Sequence, residues 1–304
     1  MFDKYTRAEA ALREGADLVL ELPLSAAVGS AEYFASGAVS LLEQTGIVTD
    51  LCFGSECGDL TLLQRPAEIL AEEPFGYQQF LREYLKKGEP FPKARALALH
   101  SYDASISLEL LNEPNNLLAL EYLKALNRYN CTMEPMTIKR EGDYNSPSLT
   151  DGFASAAAIR KALAEDRSTE AMTQLPENVH DVYNKTLSLG TAPVFWEELA
   201  PALHYKLRMS SAEEIKEIAE VVEGLENRIL HSIDSCYDMK DIIDFIKTKR
   251  YTRTKIQRIL LHILLDIKEK EVTYFMDLPK MPYIRVLGFQ KENSGILADL
   301  TENA

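Results

Sequence analysis

Apolar residues at Phe34, Ala38, Leu41 and Leu42 share one face of a 3.6-residue repeat, which predicts a helix from about Ala31 to Gln44, stopped by Gly46. Asp3 to Leu12 reads as an earlier helix with Gly15 just past its end. Between them Asp17-Leu-Val-Leu-Glu-Leu22 is a short β-prone run halted by Pro23, and Asp50-Leu-Cys-Phe53 is a second strand closed by Gly54. Helical stretches continue past His100. Asn115 and Asn116 open a helix carrying Leu117, Leu118, Leu120 and Leu123, with one of the two amides expected as its N-cap. Thr132 to Lys139 reads as a third strand, and Ser155 caps a helix bearing Ile159, Arg160 and Leu163.

Strands alternating with helices imply an α/β fold with a parallel, doubly wound sheet, whose ligands sit at the carboxyl ends of the strands. Beyond about Asp166 the strand signal fades. Ile215, Ile218, Ala219, Val222 and Leu225 keep helical spacing, as do Ile256, Ile259, Leu260, Ile263, Leu264 and Ile267. Two domains are therefore expected, 1–165 α/β and 166–304 helical, the second ending in an irregular tail around Pro279 to Gly288.

Composition changes this picture in a few respects. The 304 residues carry a formal net charge of −14, which argues against nucleic-acid binding through the whole surface and leaves room for a local basic patch. No apolar run reaches the roughly 18 residues that a membrane helix needs. Met1 to Arg7 is too polar for a signal peptide, so the expected compartment is the cytoplasm. Cys52 and Cys57 have a C-x4-C spacing that fits neither a zinc nor a redox motif, and the histidines are scattered. No catalytic residue and no metal site is assigned.

Five places carry candidate chemistry. Gly54 ends a strand without a Cβ, so backbone can approach a ligand there, or it is simply a turn glycine. Of Asn115 and Asn116, the amide not used as a cap is free for a base or ribose edge. Ile138-Lys-Arg140 puts a guanidinium at a strand's carboxyl end, suited to phosphate or merely solvated. Ser155 opens a helix whose free N–H groups suit an anion, with Arg160 about one turn inside. The densest signal is Lys247, Lys249, Arg250, Arg253, Lys255 and Arg258, interleaved with Tyr251 and hydroxyls and uninterrupted by acid. Cations bridge backbone phosphates and a tyrosine stacks on an exposed base, so this stretch points to nucleic acid over a solvated helix face. Neither G-x-x-x-x-G-K-[ST], G-x-G-x-x-G nor H-x-G-H occurs, and the chain opens on a helix where a nucleotide domain of this kind opens on a strand.

Asp3-Lys-Tyr-Thr-Arg7, Asp17-Leu-Val-Leu-Glu-Leu-Pro23, Ala31-Glu-Tyr-Phe-Ala-Ser-Gly37 and Phe53-Gly-Ser-Glu-x-Gly-Asp59 resemble the tRNA(Met) cytidine acetate ligase family. The resemblance continues in order through Pro114-Asn-Asn-Leu-Leu118, Ile138-Lys-Arg140, Ala154-Ser-Ala-Ala-Ala-Ile-Arg160, Glu223-Gly-Leu-Glu-Asn-Arg228 and Lys249-Arg-Tyr-Thr-Arg-Thr-Lys255.

That resemblance implies a Rossmann-like nucleotidyltransferase domain followed by a helical tRNA-binding domain. It implies that ATP activates acetate as acetyl-adenylate, with acetyl then passed to N4 of the wobble cytidine of elongator tRNA(Met). By the same resemblance Gly54, Asn116 and Arg140 contact ATP, with Asn116 set ahead of Asn115. Ser155 and Arg160 match the phosphate-side helix start, where Ala157 replaces the family's usual Thr. Lys4 and Arg7 match a basic motif near the active site, and Lys247 to Arg258 a tRNA surface. Mg²⁺ is expected with ATP, with Glu56 and Asp59 as weak protein candidates. Relatives also carry a first strand and an H-x-G-H-type loop ahead of the position of Met1. The chain as given is therefore expected not to activate acetate alone, while nucleotide or tRNA binding persists. The rival readings are a tRNA-binding protein without catalysis and a nucleotidylyltransferase for a small molecule, against which the basic segment speaks.

Overall fold

The computed structural model describes residues 2–141, 149, 154–249, 251–277, 281 and 283–303. Asp3 starts the Lys4–Arg13 helix by accepting from the N–H groups of Tyr5 and Thr6 at 2.8 and 3.0 Å, and Gly15 follows its end at φ 102°. The Ala31–Gln44 helix forms as read but buries Ala35, Val39 and Leu41; of the face its spacing suggested only Leu41 is buried, while Phe34, Ala38 and Leu42 are half-buried. Four strands are described: β1 Leu18–Leu20, β2 Asp50–Ser55, β3 Glu134–Lys139 and β4 Val286–Phe289.

β2 and β3 pair in parallel, with Cys52 opposite Met136 and Gly54 opposite Ile138. Leu51 and Phe53 alternate inward, and the Phe53 ring stacks on Tyr122 of the Pro114–Arg128 helix at 5.4 Å. Leu63, Ala67 and Leu70 of the Leu60–Glu72 helix share that core. The strand read from Asp17 to Leu22 does not join this pair. β1 runs antiparallel to β4, Val19 facing Gly288, and β4 lies inside the tail expected to be irregular. A Cβ on Gly288 would stand 2.7 Å from Leu12 Cδ1, so the missing side chain lets the Lys4–Arg13 helix close on β4.

The described chain groups into two units. One is Met1–Glu21, Glu141–Glu198 and Tyr283–Ala304; the other is Leu22–Arg140 and Leu199–Pro282. The boundary expected at 165/166 falls within the first, because pairing of β1 with β4 ties the chain's two ends into one unit.

In the second unit the helical spacing from Ile215 to Leu225 is not one helix. The Ala212–Lys216 helix stops, Ile218 bridges Lys268 in antiparallel fashion, and Gly224 at φ 86° precedes the Leu225–Ser232 helix. Ile215, Ile218, Ala219 and Leu225 are buried, Ile218 beside a strand-like bridge rather than on a continuous helix face, whereas Val222 is exposed; periodicity alone does not distinguish these cases. The Arg253–Leu265 helix does bury Ile256, Ile259, Leu260 and Ile263 as read. Among the described residues no helix is long and apolar enough to cross a membrane. All four cysteines are free, and burial pushes the Cys131 thiol up to about 12, with Glu43 adding to the effect.

Candidate functional site

Because β2 and β3 are parallel, their carboxyl ends lie side by side, and Gly54 and Arg140 come together there. A Cβ on Gly54 would stand 3.1 Å from Arg140 Cγ and 3.5 Å from Cδ, so the bare glycine is what lets the arginine stem lie across the strand end. The Arg140 N–H continues the ladder by donating to Ser55 O at 2.9 Å. Gly58, at φ 63°, repeats the device: a Cβ there would meet Lys139 Cβ at 2.5 Å.

The turn after β2 is held by Glu56. Its Oε1 accepts from the Asn115 N–H at 3.1 Å and from Asn115 Nδ2 at 2.6 Å; its Oε2 accepts from the Asn116 N–H at 2.7 Å. A carboxylate thus occupies the start of the Pro114–Arg128 helix, where free N–H groups and partial positive charge favour an anion. Neither asparagine is the N-cap; that position is Glu113, which makes no side-chain cap bond. Asn116 is 2% exposed, accepts from the Cys57 N–H at 3.1 Å and donates to Leu110 O at 3.1 Å. Its amide binds this loop to the helix. Sequence reasoning named Glu56 only as a weak metal candidate. The missed signal was an acid two residues past a strand glycine, able to cap a distant helix.

In the other unit, Ser155 caps the Ala156–Ala164 helix by accepting from the Ala158 N–H at 3.0 Å, as read, and Arg160 stands on that helix. In the same unit Lys4 donates to Glu21 at 2.6 Å, and Arg285 donates to the same carboxylate at 3.2 Å. The hydrogen bond from Lys4 chiefly holds the Glu21 carboxyl below its usual range.

No three His, Cys, Asp or Glu side chains converge as a metal site among the described residues. Glu56 is engaged as above, and Asp59 caps the Leu60–Glu72 helix by accepting from the Thr61 N–H at 2.8 Å and its hydroxyl at 2.7 Å. The two carboxylates raised as Mg²⁺ candidates are thus engaged in holding the turn and starting a helix.

The basic stretch spans the end of the Met239–Ile246 helix and the start of the Arg253–Leu265 helix. Arg250 lies outside the described residues. Arg253 pairs with Asp244 at 2.5 Å, and Arg258 makes two bonds to Glu220 at 3.0 and 2.7 Å. Lys255 holds its ammonium 5.6 Å from the Tyr251 ring centre. Lys247 and Lys249 are exposed and enter no ion pair among the described residues.

Parallel strands packed against helices make this part of the chain an α/β unit, and the comparisons give its class. The family model described as HIGH Nucleotidyl Transferase matches residues 1–304. A tRNA(Met) cytidine acetate ligase of Acetivibrio thermocellus is 41% identical over 310 residues, covering 99% of this chain and 74% of the relative. That of Caldanaerobacter subterraneus subsp. tengcongensis is 42% identical over 301 residues, covering 98% and 74%. A crystal structure of Thermotoga maritima TmcAL bound with alpha-thio ATP superposes with a TM-score of 0.91 at 36% identity, covering 99% of this chain and 72% of that one. Its apo form gives 0.94 at 35%. The fold class is therefore that of a nucleotidyltransferase. Within that class, the chain belongs to the tRNA(Met) cytidine acetate ligase family.

Proposed function

We propose that the protein acetylates N4 of the wobble cytidine of elongator tRNA(Met), using ATP and acetate, and that acetate activation needs the H-x-G-H-type loop of its relatives, a motif the given sequence does not contain, so that this chain alone binds nucleotide or tRNA without activating acetate. The observation that carries this reading is the Gly54–Arg140 contact at the ends of the parallel strands, in a chain of this family. An acetate oxygen attacks the α-phosphorus of ATP, pyrophosphate leaves, and acetyl-adenylate forms. The cytidine N4 amine then attacks the acetyl carbon, AMP leaves with the electron pair of the broken C–O bond, and N4 gives up a proton. Acetate is a poor acyl donor, and adenylation supplies the good leaving group.

The protein's part is positioning and charge stabilisation at the phosphates. Arg140 offers fixed paired donors to phosphate oxygens, and Gly54 lets nucleotide and backbone approach closely. Asn116 supports this floor through Cys57, and the side-chain oxygen of Asn115 is the group left for a ribose or base edge. Ser155 and Arg160 serve the phosphate side. Mg²⁺ bound with ATP would offset phosphate charge, and among the described residues no group of three acidic, histidine or cysteine side chains converges to hold it. Lys247, Lys249 and Lys255 are the principal tRNA contacts, joined by Arg250; Arg253 and Arg258 shape the surface through their ion pairs.

The test is genetic and chemical. Deleting the gene in its native cells removes N4-acetylcytidine from tRNA(Met), and the wild-type gene restores it while the Arg140→Ala form does not. Modification that persists after deletion overturns the proposal.

A further inference from the structure

Arg228 stands on the Leu225–Ser232 helix, apart from every residue so far given to a ligand. Its Nε donates to Ile246 O at 2.9 Å, its Nη2 donates to Phe245 O, and its guanidinium carbon lies 5.4 Å from the Phe245 ring centre. These two carbonyls belong to the last turn of the Met239–Ile246 helix. Ile243 O accepts from the Lys247 N–H at 2.9 Å, and Lys247 then leaves the helix in an extended conformation at φ −55°, ψ 140°. Carbonyls past that point have no onward helical donor. A guanidinium meets them with paired donors and with the charge that the negative helix end favours. Arg228 therefore fixes the direction in which the chain leaves the helix.

Two further ties close the same turn. Asp244 pairs with Arg253 across it at 2.5 Å, and Thr252 Oγ1 accepts from the Lys255 N–H at 3.3 Å to start the next helix. Lys247 and Lys249 lie between these ties. A turn ordered in advance does not lose that entropy on binding, whereas a loose one does.

We infer that Arg228 is a positioning residue for RNA binding: it holds the segment that leaves the Met239–Ile246 helix through Lys247 and Lys249 in the shape that meets phosphates, without touching RNA itself. The inference rests on the tRNA reading above. Lysine is no substitute, since one ammonium on a flexible stem does not reproduce a planar fork reaching two carbonyls.

The test is a double-mutant cycle read as the Kd for a tRNA(Met) transcript. It compares wild type, Arg228→Ala, Lys247→Ala with Lys249→Ala, and the triple variant, with ATP affinity as the control readout. Arg228→Ala weakens tRNA binding about tenfold, Arg228→Lys does not rescue it, and ATP affinity is unchanged. Once both lysines are gone, removing Arg228 changes the Kd by less than about twofold. Full additivity overturns the inference, because Arg228 then acts independently of the turn. Wild-type affinity in the lysine pair variant overturns the tRNA surface, and the inference with it. Should Arg228→Ala not fold, Arg228→Lys closes the cycle with the same two outcomes.

Discussion

A methyl group at Gly54 would sit 3.1 Å from Arg140 Cγ, close enough that the arginine stem must move by a few tenths of an ångström. The stem is flexible, so the effect falls on the guanidinium's aim more than on the fold. Gly54→Ala is expected to weaken ATP binding about tenfold, or about 1.4 kcal/mol, with the melting temperature nearly unchanged; calorimetric titration beside a melt separates the two. Glu56→Gln acts differently. Its three acceptor bonds link the turn after β2 to the Pro114–Arg128 helix, and an amide nitrogen in place of one oxygen faces an N–H that it cannot accept. A loss of about 1–3 kcal/mol in stability is expected, together with weaker ATP binding, measured by urea unfolding and titration. Gly54 and Arg140 were legible because a strand pattern places both at carboxyl ends. The commitment of Asn116 to Cys57 and Leu110 was not, because the partner turn lies 59 residues away and no local rule links them.

Among the elements, the Phe91–Tyr102 and Pro114–Arg128 helices are tied by a buried carboxylate. Glu121, 3% exposed, pairs with Arg95 and, at 2.8 Å, with Lys124. Burial alone would push the Glu121 carboxyl up, but the two cations outweigh it and hold it below the ordinary 4.5. A lowered folded value means that the ion-pair contribution is fully present above about pH 4.5 and is lost as pH falls through the folded value. Stability of Glu121→Gln should therefore be less pH-dependent than wild type in acid, while Arg95→Ala, leaving a buried charge half paired, costs about 3 kcal/mol at neutral pH. Urea unfolding at several pH values checks both. Element legibility followed sequence distance. The Ala31–Gln44 helix could be read from its own apolar face, whereas β4 is four residues with Gly288 inside, defined as a strand only by β1 some 270 positions earlier.

For the whole molecule the governing quantity is a net charge of −14, which opposes binding of a polyanion through the surface as a whole and leaves it to local clusters of cations. Each phosphate neutralised releases counterions, so the slope of log K against log salt counts the contacts, at about −0.7 to −0.9 apiece. Arg253 and Arg258 face Asp244 and Glu220 and add little to that count. With Lys247, Lys249, Arg250 and Lys255 as the contacts, tRNA(Met) binding should show a slope of about −3 to −4. Replacing Lys247 and Lys249 by alanine should bring it to about −1.5 to −2, whereas replacing Arg258 by methionine should leave it unchanged. Titrations of labelled tRNA across a range of KCl concentrations give these slopes directly. A wild-type slope steeper than about −5 would mean that a second cationic face binds RNA, and one near zero would remove the electrostatic basis of the surface altogether. The four cations therefore predict shallow salt dependence and weak binding to unrelated RNA, because the net negative charge of the chain opposes contacts that this local cluster does not make.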